Sequence, residues 1–122
     1  GAEVVATDQH PDTGALLARN AADNGVCVRY ETLDWRCPRD LGRFDLVLAS
    51  DVLFARELPG LVVRTMAGAL APGGVGWLAD PGRAWASEAE AAADALGLRW
   101  RLEVDEARGE EAFVWVFEPA AR

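Results

Sequence analysis

Four aspartates stand where an apolar or alternating run of residues breaks off. Asp8 follows "EVVAT", Asp34 follows "VCVRYETL", Asp51 follows "FDLVLAS" and Asp80 follows "VGWLA". Ligands of open α/β sheets bind beyond the carboxyl ends of the strands, so each acid stands where it could meet one. Asp8 is suited to accept from both hydroxyls of a ribose. It is also suited to the turn or helix start that follows, because aspartate favours both places, although Asp12 could serve that helix itself. Asp34 could accept from the exocyclic amine of an adenine, with Trp35 offering an aromatic face; alternatively, Trp35 folds over a sheet edge. Ser50 and Asp51 put a small residue and then an acid at a strand end, facing a ligand or substrate, or capping the next segment. His10, the one histidine, lies beside Pro11 as a solvated or pocket-rim residue. Arg83, in the turn "PGR", is placed to contact an acid.

The elements that position these residues follow from hydrophobic pattern and turn signals. A strand over 3–7 leads through Pro11 and Asp12 into a helix ending near Asp23, with Asn24-Gly25 as its stop signal. Alternation over 26–32 predicts a second strand, with Cys27 as a reduced core residue. "FDLVLAS" (44–50) is a nearly unbroken apolar run, which predicts a strand buried on both faces in a parallel sheet. A helix over 57–70 carries Pro59 in its first turn, where proline is tolerated. "APGG" (71–74) predicts a turn and "VGWLAD" (75–80) a buried strand. An alanine-rich helix over 84–96 closes at Gly97. Runs 98–105 and 111–119, joined by "EARGE", predict an antiparallel pair. The order β-α-β-β-α-β-α-β-β predicts an α/β sheet with helices on both faces and one domain over 1–122.

Composition narrows the classes of function. The 122 residues carry a net charge of −8. That argues against a nucleic-acid backbone or an anionic membrane surface as partner, since both need a basic face. All 12 basic residues are arginine, a pattern of GC-rich coding that weakens arguments from a lone arginine. Two cysteines without a Cys-x-x-Cys, and a single histidine, point away from zinc. No signal peptide and no apolar run near membrane length are present, so a cytoplasmic location is expected.

Taken together and in order, "VVATDQHP", "ETLDW", "FDLVLASDVLF", "LAPGG" and "WLADPGR" resemble the class I, seven-β-strand S-adenosylmethionine-dependent methyltransferases. Within these the chain looks most like the protein-lysine methyltransferases that include the methyltransferase-like 21 proteins and the lysine methyltransferase of the electron-transfer flavoprotein β subunit. The resemblance covers essentially the whole chain. "LDW" and "SDVLF" are its specific marks, "ADPGR" resembles the flavoprotein-directed branch, and "LAPGG" is generic.

The resemblance implies S-adenosyl-L-methionine as cofactor, with Asp8 at its ribose, Gln9 among its binding residues, Asp34 and Trp35 at its adenine, and the backbone of Ser50 against it. It implies Asp51 as the catalytic acid near the methyl group and the incoming amine, and Phe54 on the substrate side. A Rossmann-like methyltransferase sheet with a C-terminal antiparallel strand pair is expected. The family's first central strand and its E/D-x-G-x-G-x-G loop would precede Gly1, so the chain is expected to be an N-terminally incomplete domain that binds cofactor poorly by itself. The acceptor is expected to be a protein or small-molecule amine, with no nucleic acid, no membrane and no metal; the oligomeric state is open. Two other readings remain. One is a nicotinamide-dependent oxidoreductase, which "LDW", "SDVLF" and the absence of lysine oppose. The other is a truncated, non-catalytic methyltransferase-like domain used for contacts.

Overall fold

The structure, a computed structural model, describes residues 1–120. The chain divides into two compact units, Gly1–Arg39 and Asp40–Arg122.

The first unit is a β-α-β element: β1 (Val5–Asp8), α1 (Thr13–Asp23) and β2 (Arg29–Thr32). The strands run parallel, in register from Val5 opposite Arg29 to Asp8 opposite Thr32, as a helical crossover requires. α1 packs on β2 so closely that a side chain at Gly14 would come within 2.9 Å of the Tyr30 ring. The helix stops where Asn24-Gly25 predicts. Gly25 takes φ +65°, its N–H donates to the Ala22 carbonyl at 3.1 Å, and the Val26 N–H donates to the Ala21 carbonyl at 3.0 Å, which is a Schellman closure. This closure shortens the expected second strand. Val26 is engaged with the helix end, so pairing begins only at Arg29, whose N–H reaches the Val4 carbonyl at 3.1 Å. Cys27 therefore lies outside β2 and is exposed, not a core residue.

The second unit holds β3 (Phe44–Ser50), α2 (Leu58–Ala69), β4 (Leu70–Asp80), α3 (Glu88–Ala95), β5 (Leu98–Ala107) and β6 (Glu110–Pro119). Its sheet has the order β3-β4-β6-β5. β3 and β4 are parallel, while β6 is antiparallel to both neighbours. The expected C-terminal antiparallel pair turns at Arg108-Gly109, with φ +56° and +78°, a two-residue connection that suits the twist of the strands. "APGG" is absorbed into β4 as an irregularity: the register with β3 shifts between Phe44 and Leu46, and Gly73 takes φ +77°.

α2 and α3 contact each other and lie on one face of this sheet. That face buries Leu78, Trp115 and Phe117 against Val62, Val63, Met66, Ala89 and Ala93. Gly76 makes the approach possible, since a Cβ there would sit 3.1 Å from the Met66 Cε. Two indoles fasten the sheet to α3: Trp115 Nε1 donates to Glu90 at 3.0 Å and Trp100 Nε1 donates to Asp94 at 2.9 Å. The expectation that 44–50 is buried on both faces is corrected. Leu48 and Trp77 are paired across β3 and β4, yet they are 63% and 47% exposed, with Leu46 beside them at 46%. Both helices of this unit cover the other face, and β3 has only β4 as a strand neighbour among the described residues.

Candidate functional site

In the first unit the parallel register brings Asp8 and Asp34 to the same end of the strand pair. Asp8 closes β1 opposite Thr32, and its carbonyl accepts from the Leu33 N–H at 2.9 Å and from the Tyr30 hydroxyl at 3.1 Å. Its carboxylate is fixed locally: Oδ1 accepts from the Gln9 N–H at 2.8 Å and Oδ2 from the Thr13 hydroxyl at 2.6 Å. The Thr13 hydrogen bond chiefly holds the carboxyl below its ordinary value; desolvation opposes it, and the N–H groups of Gln9 and His10 add smaller lowering effects. Asp12 stands at the N-cap of α1 but makes no side-chain capping bond. Thr13, which the sequence did not single out, thus ties the start of α1 to the end of β1. Asp34 shapes its own turn, with Oδ1 accepting from the Arg36 N–H at 2.9 Å and its carbonyl from the Cys37 N–H at 2.9 Å. Asp34 and Trp35 are both half-buried. His10 is exposed in the loop after β1 and pairs with Asp12.

In the second unit Ser50 ends β3 opposite Ala79, and Asp51 follows it. Asp51 is held in the left-handed region at φ +61°, a conformation aspartate tolerates better than most residues but which still carries strain. Its N–H bonds the Ala79 carbonyl at 3.0 Å, and its side chain, 65% exposed, pairs with the Arg83 guanidinium. The same guanidinium donates through Nη1 to Asp80 Oδ1 at 3.1 Å. The Asp80 side chain is fully buried. Its Oδ2 takes the N–H groups of Gly82 and Arg83 at 2.9 and 2.8 Å. The buried charge is therefore compensated by a cation and two amides, as a buried carboxylate requires. Phe54 lies in the loop before α2, 65% exposed. Further along, the Arg56 guanidinium lies over the Trp85 ring, 5.6 Å from its centroid.

Both parallel pairs thus present acids at the carboxyl ends of their strands. A shallow recess of about 430 Å³ lies elsewhere, on the helix-free sheet face around Trp77, Arg101, Glu103 and Val114, and contains none of these residues. No E/D-x-G-x-G-x-G stretch occurs in the 122 residues. Among the described residues, no three of His, Cys, Asp or Glu are grouped as metal ligands, and no helix is long and apolar enough to cross a membrane.

No protein-family model and no curated protein matches the chain. Solved structures do. A methyltransferase from Pyrococcus furiosus superposes with TM-score 0.78 at 16% identity, over 97% of this chain and 64% of that one. TrmN from Thermus thermophilus superposes with TM-score 0.77 at 26% identity, over 97% of this chain and 36% of that one. An S-adenosylmethionine-dependent methyltransferase from Clostridium acetobutylicum superposes with TM-score 0.79 at 11% identity, over 98% and 76%. The fold is the Rossmann-like α/β fold of the class I S-adenosylmethionine-dependent methyltransferases. The chain spans about two thirds of the first of these neighbours and about a third of TrmN.

Proposed function

We propose that this chain is the larger part of a single methyltransferase domain that moves a methyl group from S-adenosyl-L-methionine to an amine, with the side chain of a protein lysine as acceptor. The observation that carries this reading is the pair of acid clusters at the carboxyl ends of the two parallel strand pairs, one of them with its acid held in a left-handed backbone conformation and tied by an arginine. The donor set suits the nucleoside end of the cofactor. Asp8, with Gln9, would take the ribose, while Asp34 and the half-buried Trp35 would take the adenine. The backbone of Ser50 would lie against the cofactor, with Phe54 on the acceptor side. For the methionine end the resemblance implies a glycine-rich loop, and no E/D-x-G-x-G-x-G stretch occurs in these 122 residues.

The bound cofactor supplies a methyl group already activated on a sulfonium, so the work left to the protein is to position and desolvate. A lysine amine must be neutral to attack, yet its reference pKa is near 10.4. Asp51 would orient the amine and steer its proton toward water. A carboxylate also favours the charged ammonium, so partial burial of the amine must oppose it. A small-molecule amine is the alternative acceptor.

The test is methyl transfer by the full-length gene product, read by mass spectrometry on a lysine-containing peptide and on small alkylamines. The expected result is a 14-dalton gain per transfer on the lysine side chain, the mass of one CH₂, and its reduction by about tenfold or more in Asp51→Asn, the range typical of a positioned acid or base. Transfer to alkylamines alone would assign the alternative acceptor. A second reading, a domain used for contacts alone, is favoured by one observation: the Asp8 carboxylate is engaged by its own neighbours, Gln9 and Thr13. Absence of transfer together with absence of cofactor binding in the full-length protein would support it.

A further inference from the structure

In the second unit Arg83 joins a buried carboxylate, Asp80, to an exposed one, Asp51. We propose that it is the positioning residue for Asp51, an inference that rests on the reading of Asp51 as the acid beside the acceptor amine. Arg83 is itself anchored at both ends of its own structure. Its N–H and its Nη1 both bond Asp80, at 2.8 Å to Oδ2 and 3.1 Å to Oδ1. The turn that carries it is packed: Gly82 takes φ +102°, and a Cβ there would meet Phe113 at 2.7 Å. The anchor is buried, with the Asp80 side chain at 0% exposure, while the acid it serves is at 65%. A buried carboxylate, a half-exposed guanidinium and an exposed carboxylate therefore form one line from core to surface.

A planar guanidinium can serve two carboxylates in fixed directions, whereas an ammonium is a point charge. Arg83 pairs with Oδ1 of Asp51, and Oδ2 takes no side-chain bond among the described residues. The second oxygen is thereby left to a ligand in an orientation set by the first. The exposed Asp51 carboxylate at the end of this line suits an amine or ammonium acceptor. Asp51 takes a left-handed backbone conformation at φ +61°, and its N–H bonds the Ala79 carbonyl of β4 at 3.0 Å.

The experiment is a double-mutant cycle in the full-length protein with Arg83→Gln, Asp51→Asn and both together. Turnover is read with S-adenosylmethionine and Nα-acetyl-lysine methylamide, and cofactor affinity with S-adenosylhomocysteine. Arg83→Gln is expected to lower kcat about tenfold, roughly 1.4 kcal/mol of transition-state stabilisation, with cofactor affinity changed less than about twofold. In the Asp51→Asn background the same substitution is expected to change kcat by less than about twofold, since residues acting as one unit are not additive. An equal loss in both backgrounds, or a loss confined to cofactor affinity, overturns the proposal. Arg83→Lys keeps a cation beside Asp80 and serves the same cycle should the glutamine variant fail to fold. Wild-type protein that binds S-adenosylhomocysteine but methylates no amine defeats the proposed acceptor class. The cycle is then read by thermal unfolding, and equal shifts in melting temperature from Arg83→Gln with and without Asp51→Asn overturn the positioning role by itself.

Discussion

Asp8 has a local structural role, and the proposed function adds a binding role; the two are separable by experiment. Its carboxyl is held below the ordinary value chiefly by the Thr13 hydroxyl. A carboxyl whose folded pKa is depressed stabilises the fold above its unfolded value of 3.8, and that contribution is lost as pH falls through the lower folded value. The effect is small, because the pair is exposed and solvent-screened. Thr13→Val should therefore move the Asp8 carboxyl titration upward toward 3.8, as followed by carboxyl-carbon NMR; an unmoved titration would mean another group sets it. Asp8→Asn keeps an oxygen acceptor for Thr13 but loses the charge, so α1 should persist by circular dichroism while cofactor affinity falls. The strand-end placing of Asp8, Asp34, Asp51 and Asp80 was legible in the sequence because each follows an apolar or alternating run. The partner of Asp8 was not, because a contact five residues along depends on the turn between. Arg83 could be marked as facing an acid, but that it serves two follows only from the β3–β4 register.

At the scale of elements, glycine and tryptophan positions carry the sharpest expectations. Gly82→Ala combines a φ of +102° with a contact of 2.7 Å to Phe113. It should destabilise the second unit by about 2 kcal/mol or more, measured by denaturant unfolding, and a loss below about 0.5 kcal/mol would show that the turn yields easily. Trp115→Phe removes the part-buried bond to Glu90 and should cost about 0.5–1.5 kcal/mol, the net worth of a typical hydrogen bond. Every predicted helix and strand is present, because the periodicities and stop signals are local. The boundaries moved where a local closure competes with pairing, as at Val26, or where a turn is folded into a strand, as at "APGG". The burial of 44–50 was misjudged because an apolar run reports the capacity to be covered, while the cover comes from elements elsewhere in the chain.

For the whole molecule, the exposed row of Leu46, Leu48 and Trp77 lies beside a β3 edge with no second strand neighbour among the described residues. Open edges and apolar patches invite association, while a net charge of −8 opposes it. Leu48→Lys should leave stability within about 0.5 kcal/mol, as surface changes usually do, and reduce self-association of the 122-residue chain in sedimentation velocity. An unchanged sedimentation profile would show that this row drives no association. The proposed function places the nucleoside end of S-adenosylmethionine on the first unit, at Asp8. Titration calorimetry of S-adenosylhomocysteine tests it most directly, into the full-length gene product, its Asp8→Asn variant and this chain by itself. Binding by the full-length protein is expected, with affinity lower by about tenfold, or ~1.4 kcal/mol, in Asp8→Asn, and weak or no binding by the chain by itself. Equal affinity in all three would contradict the placement at Asp8.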